Sequence, residues 1–137
     1  MILADTSAWI EYDRATGSRV ERRVTALIKA DTPPAVTDPV ITEVVAGARS
    51  EAEAEQLRRL MLRGGLIAFE APTDFDAAAL IYQRCRAVGV TPRGMVDCMI
   101  AAVAWRHEAT LLCRDVDLER VARVIGIELD PASAASR

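Results

Sequence analysis

Acidic residues stand in three apolar stretches of this sequence, where a charge has no evident route to water. Asp5 directly follows the apolar residues 2–4, Glu43 lies within "VITEVVAGA", and Asp97 is the only charged residue of "MVDCMIAAVAW". Burying an ionised carboxylate without a partner costs several kcal/mol even after its surroundings relax. Each acid taken alone is equally well explained by an arginine partner or by backbone N–H groups, and Asp5 can cap a short helix after the first strand.

A fourth acidic site occurs in "LLCRDVDLE", where Asp115 and Asp117 come directly after an apolar stretch, as Asp5 does. If the chain stays extended there, residues two apart point to the same side. Both carboxylates then face one place. Asp117 can instead be the N-cap of the last helix. The remaining acids, among them Asp74 and Glu119, are explained as surface residues or as acids that suit the first turn of a helix.

Short apolar segments alternate with helical patterns along the chain, which predicts an α/β domain with a mainly parallel sheet. The predicted strands are 2–4, 35–37, 66–69, 110–113 and an edge strand at 127–129. The predicted helices are 19–30, Asp38-Pro39 to Gly47, 51–63, Pro72-Thr73 to Gly89, Thr91-Pro92 to His107, and 117–125.

Parallel sheets bind ligands beyond the C-terminal ends of their strands. Asp5 and Asp115 follow two such ends, while Glu43 and Asp97 lie in early turns of helices that leave the sheet, so all four can converge. Two unit charges about 4 Å apart repel by roughly 4 kcal/mol at an effective dielectric constant of about 20. Either some of these groups stay protonated or a cation lies among them. Oxygen ligands without His or thiolate suit Mg²⁺ or Mn²⁺.

A divalent ion held by carboxylates can lower the pKa of a bound water and screen the charge of a phosphodiester. Thr6 and Ser7 follow Asp5 directly. Their hydroxyl groups can orient a water or a ligating carboxylate, and they can equally well serve in a turn or helix cap. With such an ion, hydrolysis of a phosphodiester is one activity that these acids can support.

The length and composition fit one globular domain. The chain has 137 residues, of which 51% are hydrophobic and 27% charged, and we expect a single domain over 1–130 followed by a loose tail, 131–137. No apolar run reaches the roughly 18 residues of a membrane helix, and no secretory signal is evident. Cys85, Cys98 and Cys113 never form a C-x-x-C pair, so we expect free, buried thiols and a cytoplasmic protein.

Other chemistry finds little support in the sequence. His107 is the only histidine, and no P-loop glycine pattern is present. A receiver domain needs a late lysine, yet Lys29 is the only lysine, and a haloacid-dehalogenase-type phosphatase needs an acid where Ser7 stands. The net charge of −3 gives no general attraction to nucleic acid. Sixteen arginines can bind phosphates locally, although genome base composition explains their number equally well.

Four motifs together resemble PIN-domain nucleases: "DTS" after the first strand, the Glu of "TEVVAGA", the Asp of "DCMIAA", and "RDVDL" after a late strand. Length and arrangement are most similar to the VapC-type toxins of bacterial toxin–antitoxin pairs, over about residues 1–129. The resemblance implies a Mg²⁺- or Mn²⁺-dependent endoribonuclease with a three-layer fold, a four- or five-stranded mainly parallel sheet flanked by helices. It also implies a homodimer, and an antitoxin whose tail blocks the acidic site.

The same resemblance assigns roles to particular residues. It implies that the family's acidic positions are Asp5, Glu43, Asp97 and Asp115, with Asp117 as a further acid that some members have. Thr6 and Ser7 match the polar residues after the first acid. Arg93 matches a position that is often basic and can hold a phosphate, or it is a surface arginine at a helix start. Leu118 departs from the aromatic residue common after the last acid, which leaves open whether Asp115 or Asp117 is the direct ligand.

A non-catalytic binding module is the rival interpretation. In that case the acids hold a structural cation or the arginine side chains of a partner, and the domain acts by assembly. Amphipathic helices over 19–30 and 51–63 suit a partner surface, although surface helices with one apolar stripe are common.

Overall fold

Parallel strands lie at the centre of the fold and helices cover them, as the alternating pattern predicts. The protein is described by a computed structural model over residues 1–134. The elements are β1 (Ile2–Ala4), α1 (Thr6–Asp13), α2 (Arg19–Lys29), β2 (Val36–Thr37), α3 (Asp38–Ala46), α4 (Glu51–Leu62), β3 (Leu66–Ile67), α5 (Thr73–Ala87), α6 (Met95–Arg106), β4 (Thr110–Leu112), α7 (Val116–Ile125) and α8 (Pro131–Ala134).

The strands form two parallel pairs that backbone hydrogen bonds join side by side. β1 pairs with β4 and β2 pairs with β3, both in parallel. The Ala35 N–H donates to the Ile2 carbonyl at 2.8 Å, and the Ala4 N–H donates to the Ala35 carbonyl at 3.2 Å. The lateral order is therefore β3–β2–β1–β4. The predicted edge strand at 127–129 is only a single bridge between Leu129 and Leu111.

Among the described residues, α6 is the most deeply buried helix of the core. Cys98 and the run from Ile100 to Ala104 have no exposed surface, which agrees with an apolar stretch that surrounds the whole helix. Leu3 of β1 and Leu111 of β4 are also fully buried. The strands that lead to Asp5 and Asp115 are thus held rigidly by close packing in the core.

Two predicted helix starts are wrong by one to four residues. α6 begins at Met95 with Gly94 as its N-cap, so the segment from Thr91 to Gly94 is a loop although Thr91-Pro92 looks like a helix start. α7 begins at Val116, and its N-cap is Asp115. Asp115 and Asp117 are therefore not two positions on one extended segment.

The segment predicted as a loose tail differs from that expectation at its first residues. Pro131–Ala134 form α8, and the buried Ser133 hydroxyl accepts a hydrogen bond from the Cys113 N–H at 2.8 Å. Asp130 accepts from Arg23 Nε at 3.2 Å. The rest of the predicted tail lies outside the described residues. Within 1–134, no helix combines the length and apolarity that crossing a membrane requires.

A buried ion pair connects the start of α5 to the end of α6. Asp74 is 1% exposed and accepts from Arg106 Nε at 2.9 Å and Nη2 at 2.8 Å. Its carboxylate also accepts from the Glu70 N–H at 2.8 Å. Burial by itself raises the pKa of Asp74, but these hydrogen bonds outweigh burial and hold that pKa below its usual range. Asp74 and Glu119 do lie in the first turns of α5 and α7, as expected, and the structure adds that both are buried, each 1% exposed.

Candidate active site

One cavity at the C-terminal ends of β1 and β4 brings the sequence-predicted acids together. Its volume is about 470 Å³. We call it the acidic cavity, because five carboxyl groups and only two guanidinium groups line it. The acids are Asp5, Glu43, Asp97, Asp115 and Asp117; Thr6, Ser7, Arg93 and Arg114 also line it.

Asp5 is fixed at the bottom of the cavity by the first turn of α1. Its Oδ1 accepts hydrogen bonds from the Ser7 hydroxyl at 2.7 Å and from the Ala8 N–H at 3.2 Å. Asp5 is therefore a helix cap, as one of the alternatives had it, and also a cavity residue. Burial raises its pKa to about 7, against the lowering effect of the Ser7 and Ala8 hydrogen bonds.

Asp97 lies in the first turn of α6 and is 7% exposed. Its Oδ2 is buried and accepts no hydrogen bond within the described residues. Burial raises the pKa of Asp97 to about 6; neighbouring Asp115 adds to that rise, and the Arg93 guanidinium opposes it. A buried carboxylate oxygen without a hydrogen-bond donor is energetically unfavourable, so Asp97 Oδ2 is the atom of this cavity that a bound cation would stabilise most.

Asp115 caps α7 with one oxygen and faces the cavity with the other. Its Oδ1 accepts from the Asp117 N–H at 2.9 Å and the Leu118 N–H at 3.3 Å. The capping role expected for Asp117 thus belongs to Asp115. Asp117 lies in the first turn of α7, with its side chain 40% exposed at the mouth of the cavity.

Glu43 differs from the expectation of a buried acid, because it is exposed on α3. Its apolar sequence neighbours Ile41 and Val44 face the core while Glu43 turns toward the cavity. The Thr6 hydroxyl donates a short hydrogen bond to Glu43 Oε1. Thr6 and Ser7 therefore each orient one acid of the cavity, which is the role predicted for them.

Arg93 extends from the loop before α6 into the acids. Its Nη2 lies 2.6 Å from Asp115 Oδ2 and 3.6 Å from Asp97 Oδ2, and its Nη1 lies 3.9 Å from Asp117 Oδ2. A cation was expected among the acids; in this structure one guanidinium, that of Arg93, contacts three of the carboxylates.

Arg114 is a cavity residue that the sequence analysis missed. Its Nη1 donates to Glu11 Oε1 at 2.6 Å, away from the acids, and its backbone N–H donates to the Ser7 hydroxyl at 2.7 Å. The hydroxyl of Ser7 thus connects the chain after β4 to the Asp5 carboxylate. No local sequence signal marks this contact, because 107 positions separate its partners.

The donor set fits a hard divalent cation, although the side chains do not enclose one. Within residues 1–134, no three His, Cys, Asp or Glu side chains stand close enough together to hold an ion. Arg93 occupies the space where Asp97 and Asp115 approach each other. The oxygen-only ligands, among them an Asp97 Oδ2 that accepts no hydrogen bond from the described residues, nevertheless suit Mg²⁺ or Mn²⁺ once that guanidinium moves.

The stability of the metal-free protein is expected to fall as pH rises from about 5 to about 7.5. Asp5, with a folded pKa of about 7, and Asp97, about 6, still hold protons where unfolded aspartates, with a pKa of about 4, have lost them. The free energy of unfolding therefore decreases through this window. Thermal unfolding in EDTA measures the effect. The Asp5→Asn variant should show a weaker dependence of thermal stability on pH. A wild-type protein whose thermal stability rises with pH in this range would contradict this explanation.

Comparison with known families agrees with this fold. The profile of the PIN domain family matches residues 2–124, which is most of the chain. The chain therefore belongs to the PIN-domain family.

Individual relatives indicate which group within the PIN-domain family the chain resembles. It is 39% identical over 129 residues to "VapC ribonuclease Mb1587" of Mycobacterium bovis, an alignment that covers 93% of this chain and 96% of the relative. The same values hold for "Ribonuclease VapC11" of Mycobacterium tuberculosis. The resemblance to VapC-type toxins, predicted from four short motifs, is confirmed.

A solved structure supports the same fold. The chain matches "Structure of FitAB bound to IR36 DNA fragment" with a TM-score of 0.69, 21% identity, and coverage of 95% of this chain and 94% of that chain. The predicted α/β class with a mainly parallel sheet is confirmed.

Proposed function

We propose that this protein is a VapC-type endoribonuclease that hydrolyses RNA phosphodiester bonds with a divalent metal ion, Mg²⁺ or Mn²⁺. The observation that carries this proposal is the convergence of acids from four distant chain segments on one cavity, where the buried Asp97 Oδ2 accepts no hydrogen bond within the described residues. The VapC-type relatives support RNA as the substrate, because they are named as ribonucleases.

Asp5, Asp97, Asp115 and Glu43 are the proposed catalytic acids and metal ligands, with Asp117 as a further ligand at the mouth. These residues would hold the ion, which would supply an activated water and screen the charge of the scissile phosphate. The chain's own contribution is to hold the carboxylates still. Two N–H groups fix Asp115, and the Ser7 hydroxyl and Ala8 N–H fix Asp5.

Thr6 and Arg93 have supporting roles in this proposal. The Thr6 hydroxyl holds Glu43 toward the cavity. Arg93 has a side chain that is 64% exposed at the cavity mouth, so its guanidinium can also reach an RNA phosphate. Single-stranded or looped RNA suits a recessed site best, since its phosphates can enter the cavity.

The proposed partners follow from membership of the VapC group. We propose a cognate VapB-type antitoxin that covers the acidic cavity, and a homodimer of this chain. Phe75 and Leu80 are large apolar side chains of α5 that are about half exposed, and they offer surface for such contacts. Cys85, Cys98 and Cys113 are free and buried, which suits the reducing cytoplasm as the place of action.

Incubation of the antitoxin-free protein with labelled structured RNA tests the proposal. We expect cleavage with Mg²⁺ or Mn²⁺ and none in EDTA, because the acids cannot activate water alone. The Arg93 contacts favour one rival, a binding module whose acids hold arginine side chains of a partner. RNA or partner binding without cleavage, in the presence of either metal, would support that rival and contradict the enzyme.

A further inference from the structure

The guanidinium of Arg93 lies where a bound cation would have to lie. It contacts Asp115 at 2.6 Å, Asp97 at 3.6 Å and Asp117 at 3.9 Å. The Asp115 oxygen that it contacts is Oδ2, the one not used to cap α7. The Asp97 oxygen that it approaches is the buried Oδ2 that accepts no hydrogen bond. The two carboxylate oxygens best placed for a metal ion are therefore the two nearest to Arg93.

We propose that Arg93 is the built-in counter-ion of the metal-free site, and that it competes directly with the divalent ion for Asp115 and Asp97. This inference rests on the proposed metal-dependent function and adds a regulatory step to it. Metal binding has to displace the guanidinium, so the observed affinity for metal is lower than the carboxylates alone would give.

The position of Arg93 in the chain makes displacement feasible. Asp97 and Asp115 are fixed by α6 and by the cap of α7, but Arg93 lies in the loop that ends at Gly94. Its side chain is 64% exposed and reaches the acids from outside. The side chain can therefore turn into solvent without opening the core, whereas the acids stay in place.

Electrostatics determine the direction of the competition. A guanidinium and a divalent cation repel each other, so each weakens the binding of the other to the same carboxylate oxygen. The Arg93–Asp115 hydrogen bond joins two charged groups, and such bonds are stronger than neutral ones, although exposure to solvent weakens this one. Replacement of Arg93 removes both the repulsion between the two cations and the competing Arg93–Asp115 hydrogen bond, so the ion should bind more tightly.

Calorimetric titration of Mn²⁺ into EDTA-treated, dialysed protein tests the inference with a readout other than activity. We expect Arg93→Gln to lower the dissociation constant for Mn²⁺ by about fivefold or more, an amount comparable to the loss of an exposed ion pair. The Mn²⁺-induced rise in melting temperature should increase in parallel.

Arg114→Gln is the matched control. Arg114 lines the same cavity, but its guanidinium donates to Glu11 at 2.6 Å and has no ion pair with the cavity acids among the described residues. The substitution removes the same charge from the same cavity, so it measures the general electrostatic effect. We expect its dissociation constant to change by less than about twofold.

Each result decides the inference. An affinity in Arg93→Gln equal to that of the control, or weaker than wild type, overturns the competition but leaves the metal-dependent nuclease intact. Binding of Mn²⁺ by Arg93→Gln alone supports the competition in its strongest form. An absence of Mn²⁺ binding in wild type and both variants overturns the inference together with the proposed function.

Discussion

Replacement of Asp97 by asparagine is expected to reduce metal-dependent RNA cleavage by at least about 100-fold, the order of loss seen when one transition-state-stabilising group is removed. Asp97 is buried, its Oδ2 accepts no hydrogen bond from the described residues, and an amide cannot supply the negative charge that a divalent ion requires. Asp5→Asn should give a similar loss, because Asp5 lies in the same cavity. Initial rates with labelled RNA at saturating Mn²⁺ measure the effect.

The stability of the Asp97→Asn protein distinguishes a catalytic acid from a structural one. In EDTA the variant should unfold at the same temperature as wild type or higher, because the substitution removes a buried charge next to Asp115. Asp76→Asn, the same change at an exposed position of α5, is the control that should keep full activity. Retained cleavage in Asp97→Asn, or a large loss of stability, would mean that Asp97 forms a structural salt bridge.

Asp74→Asn is expected to have the largest effect on stability, a loss of about 3 kcal/mol in the free energy of unfolding. Asp74 is almost fully buried and holds two nitrogens of Arg106, whose Nη2 also donates to the Ala68 carbonyl at 3.0 Å. Without the Asp74 carboxylate, that partly buried guanidinium keeps only its longer contact of 3.6 Å with the more exposed Glu70 as an ion pair. The Arg106 side chain is 22% exposed, so access to water keeps the loss near the lower end of the range for buried pairs.

Urea denaturation in EDTA measures this loss, and Glu55→Gln supplies the comparison. Glu55 pairs with Arg59 at 3.1 Å on the exposed face of α4, where an ion pair contributes at most about 0.5 kcal/mol. Metal-dependent cleavage by folded Asp74→Asn should stay close to wild type, since Asp74 does not line the acidic cavity. Equal losses in the free energy of unfolding of the two variants would show that the Asp74–Arg106 pair stabilises the fold no more than the exposed Glu55–Arg59 pair does.

The sequence predicted the convergence of the acids because of where they stand relative to apolar segments. Asp5 and Asp115 follow buried strands, and parallel pairing of β1 with β4 puts both at one end. Asp97 interrupts an apolar helix, and the structure buries it facing the cavity. These rules state at which end of a strand and on which face of a helix a residue lies, and a single sequence shows both directly.

Features that depend on contacts between distant residues were not predictable in the same way. Thr91-Pro92 and Asp38-Pro39 look alike as helix starts, yet only the second begins a helix, because tertiary packing decides the path of the loop before α6. The Asp74–Arg106 pair spans 32 positions without a local signal. The direction of the Arg93 side chain depends on the charge of three acids that only the fold brings together.

A structure of crystals soaked in Mn²⁺, with the ion located by its anomalous scattering, tests the central claim most directly. We predict an ion in the acidic cavity about 2 Å from oxygens of Asp97 and Asp115, with Arg93 turned away from Asp115. An acidic cavity without an ion at saturating Mn²⁺, with Arg93 still bound to Asp115 and Asp97, would contradict the account.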